Sequence, residues 1–373
     1  MTIELAYSSK DASKHARPDA SQPDVKHDIL VVIPTLNEIN TIEGVVHSLT
    51  RKLPDTSTVT FVVVDGGSTD GTVELVQSLS KANSLLRLLQ LHVLSNPKRI
   101  QSAAVNMAVR HFGDSADILV RCDAHAEYPA GYIASLVDSL DRMQADAVVV
   151  PMDSEGATPF QRAVAWASNS FVGTGGSAHR GGSRSGFVDH GHHAAFRMAS
   201  FQEAGGYDST FTHNEDAELD CRQVRLGKRV YLDADIRIVY RPRATVASLA
   251  RQYFAYGKGR SRTVRKHPHS MRARQLAIPL HLIVSALCIA GAAWMPWLLL
   301  WPLSYLVVLN AVSIQIARQK RSWDGLLAGL AAATMHLSWG AGFLTGLLTL
   351  REKPWQPPPA AASQSHADMG TAR

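Results

Sequence analysis

A chain of 373 residues with 38 Lys+Arg against 32 Asp+Glu has a net charge of +6, yet only 19% of it is charged. The length allows one large catalytic domain plus a membrane region. Cys122, Cys221 and Cys288 form no CxxC pair, which argues against a disulfide framework or a structural zinc site and fits a reducing compartment. Residues 241–275 hold ten Lys+Arg and no Asp or Glu, so the rest of the chain has 28 basic and 32 acidic residues, a net of −4. The basic excess is therefore one block, directly ahead of an apolar segment. Such a block favours the cytoplasmic side of a membrane and anionic headgroups or diphosphates, and nucleic acid is not an expected partner.

Residues 1–24 are polar and aperiodic, which predicts a disordered tail without the apolar core of a signal peptide. Ile29 to Ile33 form an apolar strand stopped by Pro34, followed by a turn at 35–40 and a helix at 41–52. A second strand, Thr60 to Val64, runs into Asp65-Gly66-Gly67-Ser68, and a helix begins after Thr69. A strand at about 88–94, a helix at about 99–112 and a strand at 118–122 continue the alternation. A helix at 131–143 and a strand at 147–150 complete it. Strands apolar throughout and alternating with helices predict an α/β domain, 25–240, with a mostly parallel sheet covered on both faces. Residues 173–186, with six glycines, predict a mobile loop, either a lid or plain surface.

Residues 276–316 lack any Asp, Glu, Lys or Arg. At roughly 20 residues per spanning helix, this predicts a hairpin of helices at about 276–294 and 297–316, joined at Met295-Pro296. Arg318 to Arg321 then precede a third apolar stretch, 326–350, which either spans or lies in the interface. The membrane region is thus 276–350, the basic segment 241–275 precedes it, and 351–373 read as a disordered tail.

The acidic motifs lie at strand ends, where ligands bind in parallel sheets. Asp65-Gly66-Gly67-Ser68-Thr69-Asp70-Gly71 supplies a carboxylate, glycines for close backbone approach and a helix N-terminus that favours anions. It also reads as a simple helix cap. Pro34-Thr35-Leu36-Asn37-Glu38 ends the preceding strand. Asp123-Ala124-His125 ends the fourth, and strand alternation directs Asp123 and His125 to one side as a candidate divalent-metal pair. His213-Asn214-Glu215-Asp216 precedes a helix and reads as a cap or as a general base with a neighbour. In Asp189-His190-Gly191-His192-His193, alternation puts His190 and His192 on one face and His193 on the other. A three-His metal site is thereby strained, and contact between His192 and an acceptor, or a plain polar strand, is expected instead.

Together these motifs resemble the family 2 glycosyltransferases, over residues 28 to about 265. The resemblance implies a GT-A fold, a mixed and mostly parallel sheet with helices on both faces, here followed by C-terminal transmembrane helices. It implies that Pro34, Glu38, Asp65 and Ser68 contact uridine, with Lys98, Arg99 and Asp123 also on the donor side. The family's usual metal motif is Asp-x-Asp; here His125 replaces the second Asp, and Mn²⁺ or Mg²⁺ is the implied cofactor on Asp123 and His125. Asp216 takes the role of catalytic base, supported by Glu215. Arg251, Gln252, Lys258 and Arg260, in Arg251-Gln252-Tyr253-Phe254-Ala255-Tyr256-Gly257-Lys258-Gly259-Arg260, are candidate acceptor or diphosphate contacts. This block keeps the Arg-Gln of processive relatives but not their Arg-Trp, which implies addition of one sugar. Within the family, the chain is most like the glucosyltransferases of succinoglycan assembly. That likeness implies transfer of glucose, through a β-1,3 bond, from UDP-glucose to a polyprenyl-diphosphate-linked saccharide. The setting would be the cytoplasmic face of a bacterial inner membrane, as a multi-pass protein beside other polysaccharide assembly enzymes. Transfer of another UDP-sugar, transfer directly to polyprenyl phosphate, and a non-catalytic sugar-nucleotide-binding scaffold are the alternatives.

Overall fold

The computed structural model describes residues 26–55, 57–82, 91–174 and 184–357. The strands are β1 (Asp28–Thr35), β2 (Thr58–Asp65), β3 (His92–Ser95), β4 (Ile118–Arg121), β5 (Ala147–Val150), β6 (Met152–Ser154), β7 (Gly186–Phe187), β8 (His192–Arg197), β9 (Val230–Leu232) and β10 (Ile238–Tyr240). Eight of them form one sheet in the order β3-β2-β1-β4-β8-β5-β9-β7, and β10 and β6 form a small second sheet. β3, β2, β1 and β4 are mutually parallel, as the strand–helix alternation predicts. β8 departs from that pattern by inserting antiparallel between β4 and β5.

Residues of one strand alternate between two cores, because successive side chains in a strand face opposite ways. Val31, Ile33, Phe61, Val63, Ile118 and Val120 pack beneath α1 (Ile42–Leu49), α2 (Thr72–Ala82) and, after α3 (Gln101–Phe112) in sequence, α4 (Tyr132–Met143). Leu30, Val32, Val62, Val64 and Leu119 pack on the opposite face. There they meet α3. Beyond α5 (Pro159–Ser168) and α6 (Phe171–Thr174), α7 (Met198–Glu203) and α8 (Glu215–Arg225) complete that layer. Fully apolar strands covered on both faces are what the sequence dictates here.

The remaining helices are α9 (Val246–Lys266), α10 (Ala277–Gly291), α11 (Leu300–Lys320) and α12 (Ala328–Thr349). Three stretches, Ala273–Gly291, Pro296–Lys320 and Trp323–Thr349, are long and apolar enough to cross a membrane by length and composition. They differ in burial. Only 6% and 11% of the first two apolar windows are covered by protein, against 50% of the third. The basic segment accounts for this difference. It folds into α9, which lies along α12 at close range because small residues remove the intervening side chains. A Cβ on Gly257 would collide with the Trp339 carbonyl, and one on Gly342 with the Phe254 carbonyl. Arg265 donates to the Gly346 carbonyl (2.8 Å) near the last turn of α12. Val164 and Ala167 of α5, Leu249 of α9, Leu309 and Ile316 of α11 and Ala331, Ala332 and Met335 of α12 share one apolar cluster. The expected tail from 351 also departs from its reading. Through residue 357 the chain lies back on the catalytic unit, with the Trp355 amide donating to the Lys266 carbonyl (2.9 Å), Arg225 over the Trp355 ring and Glu352 paired with Arg262. The expected N-terminal tail, most of the glycine-rich loop and the rest of the C-terminal tail fall outside the described residues.

Candidate active site

The first two strand ends are stitched into one ledge. Asp65 turns back on its own loop, accepting from the Gly67 amide (2.8 Å), the Ser68 amide (3.0 Å) and the Ser68 hydroxyl (2.5 Å). The Ser68 Oγ in turn accepts from the Asn37 amide (2.8 Å), and Asn37 Oδ1 accepts from the Thr69 amide (2.9 Å). Asn37 adopts a left-handed φ of 57°, which an Asn tolerates and which brings its amide to Ser68. Asp70 accepts from the Ile39 amide (3.1 Å), and the Glu38 amide donates to Thr72 Oγ1 (3.0 Å). The helix-cap reading of Ser68 and Asp70 and the ligand reading are therefore compatible, since the caps fix the shape of the ledge. The Glu38 carboxylate reaches across to His125 Nδ1 (2.9 Å) and also accepts from Thr41 (2.8 Å). Burial opposes ionisation of Glu38, but the bonds from His125 and Thr41 outweigh it and hold the carboxyl below its usual value. The same bond raises His125.

Beside this ledge lies a buried charge network built from four elements. Arg121, the last residue of β4, shares the sheet face of Leu119 and so points beneath the N-terminus of α8. Its Nη1 donates to Asp216 Oδ1 (2.7 Å), and its Nη2 lies 3.4 Å from Asp123 Oδ1 and 4.0 Å from Glu215 Oε1. The guanidinium also stands over the Tyr207 ring at 5.9 Å. Burial works against its charge, but the surrounding acidic groups, Asp216 foremost, overcome it and raise its pKa well above the ordinary value. Asp216 is pulled the other way: burial would raise it, and Arg121, His193 and His192 more than reverse that, so it stays ionised. Glu215 has no such partner at bonding distance. Burial and the Asp216 charge push its pKa up to about 7. Adjacent carboxyls are thus driven apart in proton affinity, a feature found at sites of proton transfer.

Histidines close this network from β8. His192 stands between the two acidic groups, with Nε2 3.7 Å from Asp123 Oδ2 and Nδ1 3.9 Å from Asp216 Oδ2, and burial lowers its pKa. His193 lies 3.4 Å from Asp216 Oδ1 and bonds Asp220 Oδ1 (2.7 Å) and the Tyr207 hydroxyl (2.7 Å). His190 reaches Asp220 from outside the strand (2.8 Å). Simple alternation fails here for two reasons. β8 begins only at His192, so the strand rule does not govern His190, which converges with His193 on Asp220; and the pairing with β5 slips at Ala194, so His193 is out of step with the strand beyond it. The alternation argument for Asp123 and His125 also fails, because β4 stops at Arg121 and the two residues lie in the turn beyond it.

The carboxylate of Asp123 has one oxygen engaged by Gln101 (2.6 Å) and Arg121, and faces His192 with the other. Among the described residues no three His, Cys, Asp or Glu side chains group as a complete metal-ligand set. One carboxylate oxygen with a neighbouring imidazole fits a divalent ion whose remaining positions come from phosphate oxygens, as is usual for Mg²⁺ at diphosphates. His192, lowered in pKa, is suited as the neutral imidazole a metal needs, whereas His125, whose Nδ1 is held by Glu38, must first lose the proton on Nε2 to ligate through it.

Residues 30–205 match the model of Glycosyl transferase family 2. Succinoglycan biosynthesis protein ExoA of Rhizobium meliloti is 41% identical over 326 residues, covering 87% of this chain and 96% of that protein. The chain belongs to glycosyl transferase family 2. A more distant relative is the dolichyl N-acetyl-alpha-D-glucosaminyl phosphate 3-beta-D-2,3-diacetamido-2,3-dideoxy-beta-D-glucuronosyltransferase of Methanococcus voltae, 21% identical over 64% of this chain and 74% of that one. Among solved structures, the mannosyltransferase PcManGT of Pyrobaculum calidifontis, in complex with GDP-Man and Mn²⁺, superposes with a TM-score of 0.60. It is 21% identical and covers 90% of this chain and 91% of that one, which establishes the GT-A fold. The protein is a glycosyltransferase.

In this transferase the expected site residues fall into three groups. Pro34, Glu38, Asp65 and Ser68 share the ledge, and Asp123, His192, Glu215 and Asp216 meet at the charge network. Lys98 reaches Ser209 (3.3 Å), and Arg99, at φ 59°, turns the chain after Asn96. Asn106 bonds the Tyr207 backbone on both sides (2.6 and 2.9 Å) and so fixes the turn before α8; a Cβ on Gly206 would lie 2.7 Å from its Oδ1. The four α9 candidates separate. Gln252 is held by the Tyr240 and Tyr256 hydroxyls (both 3.0 Å), and Arg260 bonds the Ser270 carbonyl and Gln275. Arg251 and Lys258 face clefts beside α12 and the 210–213 loop. Sequence reasoning missed Arg121, His193, Tyr207 and Asp220. Their one available signal was a charged residue, Arg121, ending an otherwise apolar buried strand.

Proposed function

We propose that this transferase moves one sugar from a UDP-sugar to a polyprenyl-diphosphate-linked saccharide, with inversion, in exopolysaccharide assembly at the cytoplasmic face of a membrane. The observation that carries the reading is the meeting of Asp123 and Asp216 on Arg121, at the carboxyl end of β4 and near the Asp65–Ser68 ledge. The 41% identity to the succinoglycan biosynthesis protein ExoA supports exopolysaccharide as the setting; glucose is the first donor to test on the resemblance drawn from the sequence motifs.

The ledge of Pro34, Glu38, Asp65 and Ser68 receives the nucleoside, with Arg99 beside it. Asp123, with a neutral imidazole from His192 or His125, would hold a divalent metal, which would supply charge neutralisation for the departing diphosphate. Asp216 accepts the proton of the acceptor hydroxyl as the new bond to the anomeric carbon forms and the bond to the diphosphate oxygen breaks. Arg121 keeps Asp216 ionised and aimed, and Glu215 beside it, with a pKa near 7, tunes its basicity. The leaving diphosphate needs no second carboxylic acid, which distinguishes this pair from a glycosidase pair.

The test uses membranes from cells expressing the full chain, a panel of labelled UDP-sugars and a lipid-linked galactose acceptor, with and without Mn²⁺. Label in the lipid fraction from UDP-glucose, dependent on metal, is the expected result. Label from a different UDP-sugar replaces the donor. Absence of transfer from every donor, with nucleotide still bound, would establish the scaffold alternative.

A further inference from the structure

One face of α9 carries Arg251, Phe254, Ala255, Lys258 and Arg262, at the 3–4–7–11 spacing of a single helical stripe. Two clefts lie along it and meet at Phe254. One, of about 450 Å³, is lined by Ala250, Arg251, Phe254 and, from α12, Leu337, Ser338 and Ala341. The other, of about 390 Å³, is lined by Phe254, Lys258 and Arg262 with Thr210, Thr212 and His213. The first is mostly apolar and opens beside a helix apolar enough to enter a membrane; the second is edged by hydroxyls and cations. Arg262 is already paired with Glu352. Among the described residues, Arg251 and Lys258 have no ion-pair partner. An unpaired cation beside hydroxyls suits a phosphate group.

The second cleft is lined by His213, in the loop that leads into Glu215 and Asp216. Gly259 packs so closely on the chain at His213 that a Cβ there would collide with the His213 carbonyl. Thr263 bonds Asn214 Oδ1 (2.9 Å), fixing the left-handed residue (φ 68°) that precedes Glu215 and Asp216. Along one stripe, then, lie apolar surface and a cation beside a hydroxyl, and the cleft at its cationic end is lined by His213, three residues before the carboxylate proposed as base.

We infer that this stripe is the binding track for the acceptor: its diphosphate sits at Lys258 with Thr212 and His213, and its isoprenoid chain runs over Phe254 along Leu337 and Ala341. The inference rests on the lipid-linked acceptor of the proposed function and assigns that acceptor a place. The order of parts along the track matches the order of groups in such a molecule, from apolar chain through diphosphate to sugar. Arg251 lies beyond Phe254 on the chain side, where it meets anionic headgroups. Gln252 and Arg260 lie off the stripe and take no part.

The experiment measures binding of farnesyl diphosphate to the full chain in detergent, for wild type, Lys258→Ala and Phe254→Ala. UDP and inorganic pyrophosphate serve as competitors, and UDP binding is the check that each variant is folded. The track predicts that farnesyl diphosphate stays bound under saturating UDP. Lys258→Ala weakens it about tenfold, the usual loss for one hydrogen bond to a charged group. Phe254→Ala weakens farnesyl diphosphate but leaves pyrophosphate unchanged. Displacement of farnesyl diphosphate by UDP would assign the diphosphate contact to the donor site and overturn the track. Unchanged farnesyl diphosphate binding in both folded variants would overturn it as well. Variant losses as predicted, in a wild type that transfers to no lipid-linked saccharide, would keep the lipid-diphosphate track and sink the acceptor assignment of the proposed function.

Discussion

The ledge proposed for the donor and the charge network beneath α8 lie side by side but are built on opposite principles. The ledge is local: Asp65, Ser68, Asn37 and Asp70 satisfy one another through bonds within two short loops at neighbouring strand ends. The network is distant: Arg121 comes from β4, Asp123 from the turn after it, His192 and His193 from β8, and Asp216 from α8. Local polar loops cost little to break, since water replaces lost partners. A buried guanidinium shared by carboxylates cannot be rehydrated, so each loss there leaves an uncompensated charge. On the proposed function the ledge therefore sets affinity, while the network sets chemistry and stability together.

The sharpest expected contrast is catalytic. Removing the proposed base by Asp216→Asn should lower turnover about a hundredfold to ten-thousandfold with nucleotide affinity nearly unchanged. Next in size is Arg121→Ala, which strands Asp216 and Asp123 and should destabilise the fold by about 3–5 kcal/mol in chemical denaturation. Arg121→Lys keeps the charge without the two-armed reach and should fold better yet transfer poorly. If Arg121→Ala unfolds at the denaturant concentration of wild type, the contrast between the two regions is wrong.

Acid tests the same region further. Glu218, buried against Arg222 (2.7 Å), Lys266 (2.9 Å) and His267 (3.0 Å), has its pKa lowered to about 2; burial opposes this and the cationic partners prevail. A depressed carboxyl stabilises the fold fully above its unfolded value, near 4.5, and that contribution is lost as pH falls towards 2. The loss amounts to about 3 kcal/mol. Glu218→Gln should flatten the fall in denaturation midpoint between pH 5 and pH 2.5. The smallest effect belongs to the ledge: Ser68→Ala removes its bonds to Asp65 and Asn37 and should raise the donor KM several-fold, about 1 kcal/mol, with kcat held. A drop in kcat as large as that of Asp216→Asn would erase the distinction.

The same division explains what was legible in the sequence. Pro34 to Glu38 and Asp65 to Gly71 are contiguous, so their loops could be read directly, as could the paired apolar helices at 276–316. The charge network depends on β8 entering the sheet antiparallel and slipping against β5, which no local pattern announces. Arg121 looked like a strand residue with a charge at its end, because its partners lie 95 positions away in sequence or belong to a turn. The basic segment was legible as charge but not as a helix gripping α12, since that contact depends on Gly257 and Gly342 meeting across the fold. Residues 351–357 were read as tail because their anchors, Arg262 and Lys266, are equally remote.

The most direct test compares labelled-sugar transfer to a lipid-linked saccharide by wild type, Asp216→Asn and Glu215→Gln in the same membranes. The account predicts that Asp216→Asn abolishes transfer while still binding nucleotide, and that Glu215→Gln retains a reduced rate. Transfer by Asp216→Asn at the wild-type rate, or loss confined to Glu215→Gln, would contradict it and move the base from Asp216.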